Sequence, residues 1–77
     1  MTIEFKLFAS ARDRLNKSKI VIEHEGLLKD IVDLIQKNNL SYDFSVCRFA
    51  RQGKYIDMNT PIKDGDVVSV IPPIGGG

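Results

Sequence analysis

The sequence has no tryptophan and only one cysteine, Cys47. A single thiol cannot form an internal disulfide, which is typical of a protein in a reducing, cytoplasmic environment. The first residues alternate in polarity and carry charge at Glu4 and Lys6, so they do not form a signal peptide. The chain also lacks a run of about 20 apolar residues, which excludes a membrane-spanning helix. We therefore expect a cytoplasmic protein that has no membrane partner.

An excess of charge of one sign is also lacking, since 11 basic and 10 acidic residues give a formal net charge of +1. The charges are interspersed, whereas a nucleic-acid-binding surface favours a basic stripe, so nucleic acid is not expected as a partner. No Ser-His-Asp set, pair of carboxylates or group of metal ligands stands at a suitable spacing. We expect neither a metal site nor a bound cofactor, and we do not expect the chain to be catalytic alone.

Some isolated residues that often carry chemistry have a simpler interpretation here. Cys47 is interpreted as a small core residue of a strand rather than a thiol donor. His24, the single histidine, is interpreted as a surface residue because no further metal ligands accompany it. Four arginines are interpreted as solvated surface charge, with contact to acidic patches on a partner as the alternative: Arg12, Arg14, Arg48 and Arg51.

With 77 residues, 43% of them hydrophobic, the chain can bury the core of one small domain but has little room for a private active site. Residues 3–8 alternate in polarity, and residues 19–24 place Ile20 and Ile22 on one side. This period of two predicts two strands. We interpret residues 9–18 as a polar loop that joins them in a long hairpin.

One helix of about twelve residues is predicted, because apolar residues recur at three- and four-residue spacing. These residues are Leu27, Leu28, Ile31, Val32, Leu34 and Ile35. Gly26 is a tolerable N-cap. Asn38 and Asn39 provide the stop, since Asn tolerates the left-handed conformation.

The second half of the chain is predicted to form strands separated by turns. Residues 45–51 and 54–57 are strands around a Gln52-Gly53 turn, and residues 67–71 form a last strand after the turn at residues 63–66. The last strand is β-branched and uncharged, so we expect it at the centre of the sheet. The expected fold class is α+β, a mixed sheet with one helix packed on one face.

The C-terminal tail, residues 72–77 (PPIGGG), is the most informative segment, and no side chain from Val67 onward is charged. Pro72 and Pro73 lack N–H donors, so they end the sheet ladder and favour an extended conformation. Six such residues can reach about 20 Å. The three glycines remove all side-chain bulk beside the carboxylate. Such a tail can enter a narrow channel in another protein.

The carboxylate of Gly77 is the candidate reactive group. A C-terminal carboxyl has a pKa of about 3.5, so it is ionised at neutral pH and is a poor electrophile. Adenylation by ATP converts it to an acyl donor, and an incoming sulfur can then displace AMP to leave a thiocarboxylate. The activating enzyme must supply the nucleotide, the metal and the catalytic groups. The alternative is a frayed terminus without a function.

Four segments of the chain resemble the small, sulfur-carrying subunit of molybdopterin synthase and its ubiquitin-like family. They are residues 8–13 (FASARD), 28–35 (LKDIVDLI), 61–68 (PIKDGDVV) and 72–77 (PPIGGG). The resemblance extends over essentially the whole chain. Its most specific part is the combination of the diproline tail with the Gly-Asp turn.

The resemblance implies a β-grasp, ubiquitin-like domain over residues 1–71 and an extended functional tail over residues 72–77. It implies that an adenylating enzyme, using ATP and Mg²⁺, activates Gly77, which becomes a thiocarboxylate. The tail would insert into the large synthase subunit and donate sulfur to cyclic pyranopterin monophosphate in molybdenum cofactor biosynthesis. The implied tail-insertion residues are Pro72, Pro73, Ile74, Gly75 and Gly76.

The same resemblance implies that Phe8, Tyr55 and Ile71 contact the partner proteins. The alternative is that Phe8 and Ile71 belong to the core and that Tyr55 is an ordinary surface residue.

Two departures from the family pattern bear on the pathway. Gly75 stands where the family commonly has a small or polar residue, and a triple glycine also occurs in the related thiazole-forming carrier. Residues 51–53 (RQG) stand where the family often has an apolar residue and Asn. The alternatives are therefore a sulfur carrier for thiamine thiazole or tRNA thiolation, and a ubiquitin-like protein modifier.

Overall fold

The computed structural model describes residues 2–73, and Met1 and residues 74–77 lie outside the described part. The elements in chain order are β1 (Ile3–Leu7), α1 (Ala9–Leu15), β2 (Lys19–Ile22), β3 (Gly26–Leu27), α2 (Leu28–Asn38), a 3-10 turn (Phe44–Val46), β4 (Arg48–Arg51), β5 (Lys54–Ile56), β6 (Pro61–Ile62) and β7 (Val67–Ile71). Five strands form one sheet in the order β2-β1-β7-β4-β5, and β3 pairs with β6 in a second, two-stranded sheet.

Strand β7 lies at the centre of the main sheet, as the sequence predicts. It runs parallel to β1, with Leu7 beside Val70, and antiparallel to β4, with Phe49 opposite Val70. The sheet is therefore mixed. The connection between β1 and β7 passes through α2, because parallel neighbours need a long crossover.

The core lies between α2 and one face of the main sheet. Alternate residues of β1 and β7 point toward the helix, and Phe5, Val68 and Val70 are fully buried. Leu28 and Ile31 of α2 are fully buried against them. Side chains of this size contribute about 1.5–3 kcal/mol each when buried. The opposite face of the sheet carries the remaining alternate residues and is open among the described residues.

The prediction of a loop over residues 9–18 is wrong, because α1 occupies residues 9–15. Ala11 of α1 is buried and Leu15 packs against the core, while the arginines between them point outward. Two apolar residues at a spacing of four are too short a pattern to recognise as a helix. The main helix therefore has a smaller companion.

The predicted ends of the main helix are also corrected. The N-cap of α2 is Leu27, not Gly26, which instead pairs with Ile62 in the small sheet. Asn39 closes the helix, but its φ of −141° is not left-handed. Its side-chain amide donates to the Ile35 carbonyl oxygen at 2.9 Å, and Asn38 likewise bonds to the Leu34 carbonyl. The side chains, rather than a left-handed backbone, satisfy the last carbonyl groups.

The strand predicted over residues 45–51 starts later than expected. Asp43 Oδ1 accepts hydrogen bonds from the Ser45 backbone N–H at 2.9 Å and the Ser45 hydroxyl at 2.6 Å, which begins the 3-10 turn. The Gln52-Gly53 turn is confirmed, since both residues have positive φ, 53° and 77°. Such a turn joins tightly paired antiparallel strands.

Asp66 fixes the start of β7 through a compact set of hydrogen bonds. Its Oδ2 accepts from Arg51 Nη1 at 3.0 Å and from the Lys63 backbone N–H at 2.8 Å. Arg51 Nη1 also donates to the Pro61 carbonyl oxygen at 3.0 Å. The side chains of Arg51 and Asp66 are only 28% and 24% exposed. Arg51 is thus an internal structural residue rather than solvated surface charge.

We predict that Asp66→Ala lowers the free energy of unfolding by about 2 kcal/mol, because it leaves a half-buried guanidinium and a backbone N–H without their acceptor. Urea denaturation at neutral pH measures the effect. Asp13→Ala is the matched control, because its contact with Arg12, at 3.6 Å, is solvent exposed and should leave the midpoint unchanged. Equal midpoints for the two variants would contradict the structural role of Asp66.

Candidate functional site

The described chain leaves the sheet at the end of β7. Ile71 pairs with Arg48 of β4, and by the same register Pro72 lies opposite Cys47. Pro72 is buried and Pro73 is exposed. Because proline has no N–H donor, the ladder of β7 stops here. Strand β7 therefore ends at Ile71, and Pro72 follows it at the centre of one end of the sheet.

Phe8 lies on the other side of this point. Leu7 is beside Val70 in the parallel ladder, so the extended Phe8 continues β1 beside Ile71. Its carbonyl oxygen accepts the Ala11 backbone N–H at 3.1 Å as α1 begins. Ala9 has a φ of 47°, and this left-handed residue turns the chain away from the sheet immediately after Phe8. The phenyl ring is left on the open face, 43% exposed.

Tyr55 completes the surface from the β5 side. It pairs with Ala50 on the open face and is 62% exposed. The Arg48 guanidinium carbon lies 5.1 Å from the centre of the Tyr55 ring, a cation–π contact. This contact orients the Arg48 and Tyr55 side chains against each other on the open face of the sheet.

We call the surface around the end of β7 the tail-root patch, formed by Phe8, Val46, Arg48, Tyr55 and Ile71. On its β4–β5 side an open groove of about 260 Å³ is lined by Val46, Arg48, Tyr55, Ile71, Pro72 and Pro73. Exposed apolar side chains around one cation are typical of a protein-docking surface.

The structure brings the three residues implied as partner contacts to this one surface. Phe8 is exposed and Ile71 is half-buried on the open face, so neither belongs to the core. No pattern in the sequence indicates a role for Val46 there. Its position at this surface becomes evident only from the structure, where the 3-10 turn before β4 lies beside Ile71 and Pro72. Of the tail residues, Pro72 and Pro73 are described, whereas Ile74, Gly75, Gly76 and Gly77 lie outside the described residues.

Cys47 lies behind the tail-root patch, half-buried against the core, and directly before β4 rather than inside a strand. The Tyr42 hydroxyl lies 3.5 Å from Cys47 Sγ and 3.0 Å from Ser10 Oγ. Burial raises the pKa of the Cys47 thiol, and burial followed by the hydrogen bond with Cys47 raises the pKa of the Tyr42 hydroxyl. Both groups are therefore neutral at physiological pH. A thiol is a poor nucleophile in this state.

We predict that iodoacetamide alkylates Cys47 at least severalfold more slowly in the folded protein than in urea at pH 7.5. The raised pKa keeps the thiol protonated, so the folded rate should rise only as the pH passes above the ordinary thiol range. Mass spectrometry follows the reaction. Tyr42→Phe should slow it further, because the Tyr42 hydrogen bond lowers the pKa of the thiol. Equal rates for folded and unfolded protein would show that folding neither shields the thiol nor raises its pKa, and a faster rate in the folded protein would show an activated thiol.

The other single residues considered from the sequence remain apart from this surface. His24 is exposed beyond the end of β2, as interpreted. Within residues 2–73, no group of three or more His, Cys, Asp or Glu side chains is arranged to hold a metal ion. No helix in the same range is long and apolar enough to cross a membrane.

Comparison with known proteins gives one family and several solved structures. The model of the ThiS family matches residues 5–77. No curated protein sequence matches the chain. Subunit 1 of the molybdopterin-converting factor from Helicobacter pylori, solved in a complex of subunits 1 and 2, is 33% identical with a TM-score of 0.73, and 100% of each chain is covered.

Two further structures share the fold. A putative molybdopterin-converting factor subunit 1 from Pyrococcus furiosus is 27% identical with a TM-score of 0.80, covering 96% of this chain and 99% of its own. The small archaeal modifier protein 1 from Haloferax volcanii has a TM-score of 0.79 over 100% of both chains, but at 17% identity it shows the fold alone. These similarities confirm the predicted β-grasp fold.

Proposed function

Because the chain belongs to the ThiS family of ubiquitin-like sulfur carriers and protein modifiers, we propose that it is the sulfur-carrying small subunit of a molybdopterin synthase. The observation that carries the proposal is the position of Pro72, where the tail begins. A charge-free, glycine-ended tail follows the central strand at a point surrounded by an exposed apolar patch. The similarity to molybdopterin-converting factor subunits, at 33% and 27% identity, supports this choice.

The proposed chemistry takes place at the Gly77 carboxylate. An adenylating enzyme transfers AMP from ATP to a carboxylate oxygen and releases pyrophosphate. A sulfur donor then attacks the carbonyl carbon, and AMP leaves with that oxygen. With hydrosulfide as the donor, loss of a proton leaves a terminal thiocarboxylate; with a persulfide donor, a thiol first takes the donor's sulfur as a disulfide. The thiocarboxylate sulfur then bonds to a carbon of the pterin precursor, cyclic pyranopterin monophosphate, and displaces an oxygen substituent from it. Water hydrolyses the resulting thioester, which leaves the sulfur on the pterin and returns the carboxylate.

The chain's own residues contribute position and access rather than catalysis. Strand β7 is paired on both edges, with β1 and with β4, so the point from which the tail starts is fixed. Pro72 and Pro73 keep the next residues from continuing the ladder, and the glycines present no side chain to the walls of a partner's channel. The neutral Cys47 offers no competing thiolate beside the tail root.

The proposed partner is the large subunit of the synthase, and the tail-root patch is the proposed contact surface. The Helicobacter pylori relative, solved with a second subunit, supports a partner of this kind. The apolar residues would be covered on docking, and Arg48 would meet an acidic or aromatic group. ATP and Mg²⁺ remain with the activating enzyme.

We predict that the full-length chain, incubated with ATP, a cognate activating enzyme and a sulfur donor, exchanges one carboxyl oxygen for sulfur. Intact-mass spectrometry detects the exchange. A variant lacking Gly76 and Gly77 should fold with the same unfolding midpoint but show no exchange. An unchanged mass of the full chain with an enzyme that is active on another carrier would refute the carrier role.

We predict that Tyr55→Ala weakens binding to the large subunit by about tenfold, because Tyr55 is the most exposed aromatic residue of the tail-root patch. Isothermal titration calorimetry measures the affinity. Lys54→Ala is the matched control, since Lys54 precedes Tyr55 on β5 and points away from the open face. Equal losses in both variants would place the contact surface elsewhere.

A second candidate is a carrier that serves thiazole synthesis or tRNA thiolation, or a protein modifier. The match to the ThiS family model and the triple glycine support this second candidate. Expression in cells that lack the molybdopterin synthase small subunit separates the two. Restored molybdoenzyme activity supports the first proposal, whereas a thiocarboxylated chain without restoration supports another sulfur acceptor. An isopeptide bond from Gly77 to a target lysine would indicate a modifier.

A further inference from the structure

Strand β2 forms one edge of the main sheet among the described residues. Its outer side carries backbone groups that can pair with another strand, and Val21 at its centre is 51% exposed. An exposed edge strand, even one of only four residues such as β2, offers unpaired backbone groups to a second chain. The charges around β2 indicate which kind of strand can pair with this edge.

The outward-facing backbone groups can be assigned from the pairing with β1. The Leu7 backbone N–H donates to the Ser18 carbonyl at 2.8 Å, and Ile20 lies opposite Phe5. Because alternate residues bond across an antiparallel pair, Ser18, Ile20 and Ile22 face β1. Lys19 and Val21 therefore direct their N–H and C=O groups away from the sheet.

Only registers that match odd-numbered residues with odd-numbered residues can bring two such edges together in antiparallel pairing. One of them places Val21 opposite Val21 of a second copy. This register also places Lys19 opposite Glu23, and Lys17 opposite Glu25, in both directions. The two neighbouring registers of this kind keep only one Lys–Glu pairing each, Lys17 with Glu23 or Lys19 with Glu25, and both place Val21 opposite a charged residue. The sequence around β2 is therefore self-complementary when the strand pairs with itself.

The face of β2 that points toward α2 fits the same arrangement. Ile20 and Ile22 are half-buried there, and an open groove of about 410 Å³ separates β2 from the end of α2, with Leu34 in its wall. In the register centred on Val21, Ile20 of one copy lies opposite Ile22 of the other. A paired strand would extend this apolar floor and cover part of the groove.

Two existing contacts limit the strength of the pairing. Lys19 Nζ already lies 3.5 Å from Glu4 Oε1, and Glu25 Oε2 accepts the Asp64 backbone N–H at 2.7 Å. The Lys19 side chain is 57% exposed and lies only at the edge of the contact with Glu4, which is 28% exposed, so Lys19 can serve a second carboxylate. The Lys19–Glu23 pairs are therefore the main charge contacts, and Lys17–Glu25 pairs add less.

We propose that two copies of this chain associate through antiparallel pairing of their β2 strands, centred on Val21. The product is a continuous ten-stranded sheet. Strand β1 separates β2 from β7, so the tail-root patch remains accessible in both copies. The proposal goes beyond the carrier function and does not depend on it.

Charge reversal tests the register directly. Lys19→Glu places two glutamates opposite each other in the pair, and Glu23→Lys places two lysines opposite each other. Each variant should weaken self-association by at least about tenfold. An equimolar mixture of the two should associate again, because each introduced glutamate then lies opposite an introduced lysine. The double variant should associate alone for the same reason.

Sedimentation equilibrium of the full chain, under reducing conditions and at low salt, measures association up to about 1 mM, since so small an interface binds weakly. Val21→Pro is a backbone test, because it removes an outward N–H that β1 does not use. Circular dichroism checks that each variant folds. A wild-type chain that stays monomeric over this range overturns the proposal. So does association that the single reversals leave unchanged or that the mixture fails to restore.

Discussion

Strand β7 is hydrogen-bonded along both edges, parallel to β1 and antiparallel to β4. Its inner side chains, Val68 and Val70, are fully buried under α2. A strand held on both edges and one face cannot shift without breaking the core and two ladders together. The residue that follows it, Pro72, therefore starts from a fixed position and direction. The function proposed for the tail depends on this constraint.

The same constraint places the tail-root patch. The two strands that flank β7 bring Phe8 and Arg48 to the same end of the sheet as Ile71, since one runs parallel to it and the other antiparallel. Tyr55 reaches the surface from the next strand and is held by Arg48 at 5.1 Å. The patch is thus a consequence of strand order and register rather than of a loop. In the proposed function, a partner that recognises this patch would also determine where the tail enters.

The sequence predicts the parts of the fold that have a long, regular pattern. The alternation of β1, the apolar spacing of α2 and the β-branched run of β7 all lead to the observed elements. The sequence does not reveal α1 or the two-residue strands β3 and β6, because so few residues carry no measurable periodicity. These elements form through tertiary contacts, such as the burial of Ala11 and the pairing of Gly26 with Ile62.

The sequence likewise predicts some parts of the candidate site and not others. The tail is predicted from composition alone, because prolines, glycines and the lack of charge are local features, and residues 74–77 lie outside the described part. Phe8, Tyr55 and Ile71 follow from resemblance to a family and not from any pattern in the chain. Val46 could not be assigned to the site, since its exposure depends on how the 3-10 turn lies against the end of β7. Arg51 resembles a surface arginine until its bonds to Asp66 and Pro61 are known.

The two halves of the sheet carry different kinds of surface. The tail-root patch combines apolar groups with one cation, so docking there removes apolar area from water and gives a closely packed contact. The β2 edge instead alternates lysines, a valine and glutamates, and its pairing depends on backbone bonds and screened charges. Contacts of the second kind weaken as salt rises, whereas apolar contacts do not. Binding at the two surfaces can therefore be separated by ionic strength, and because β1 lies between β2 and β7, occupation of one surface leaves the other open.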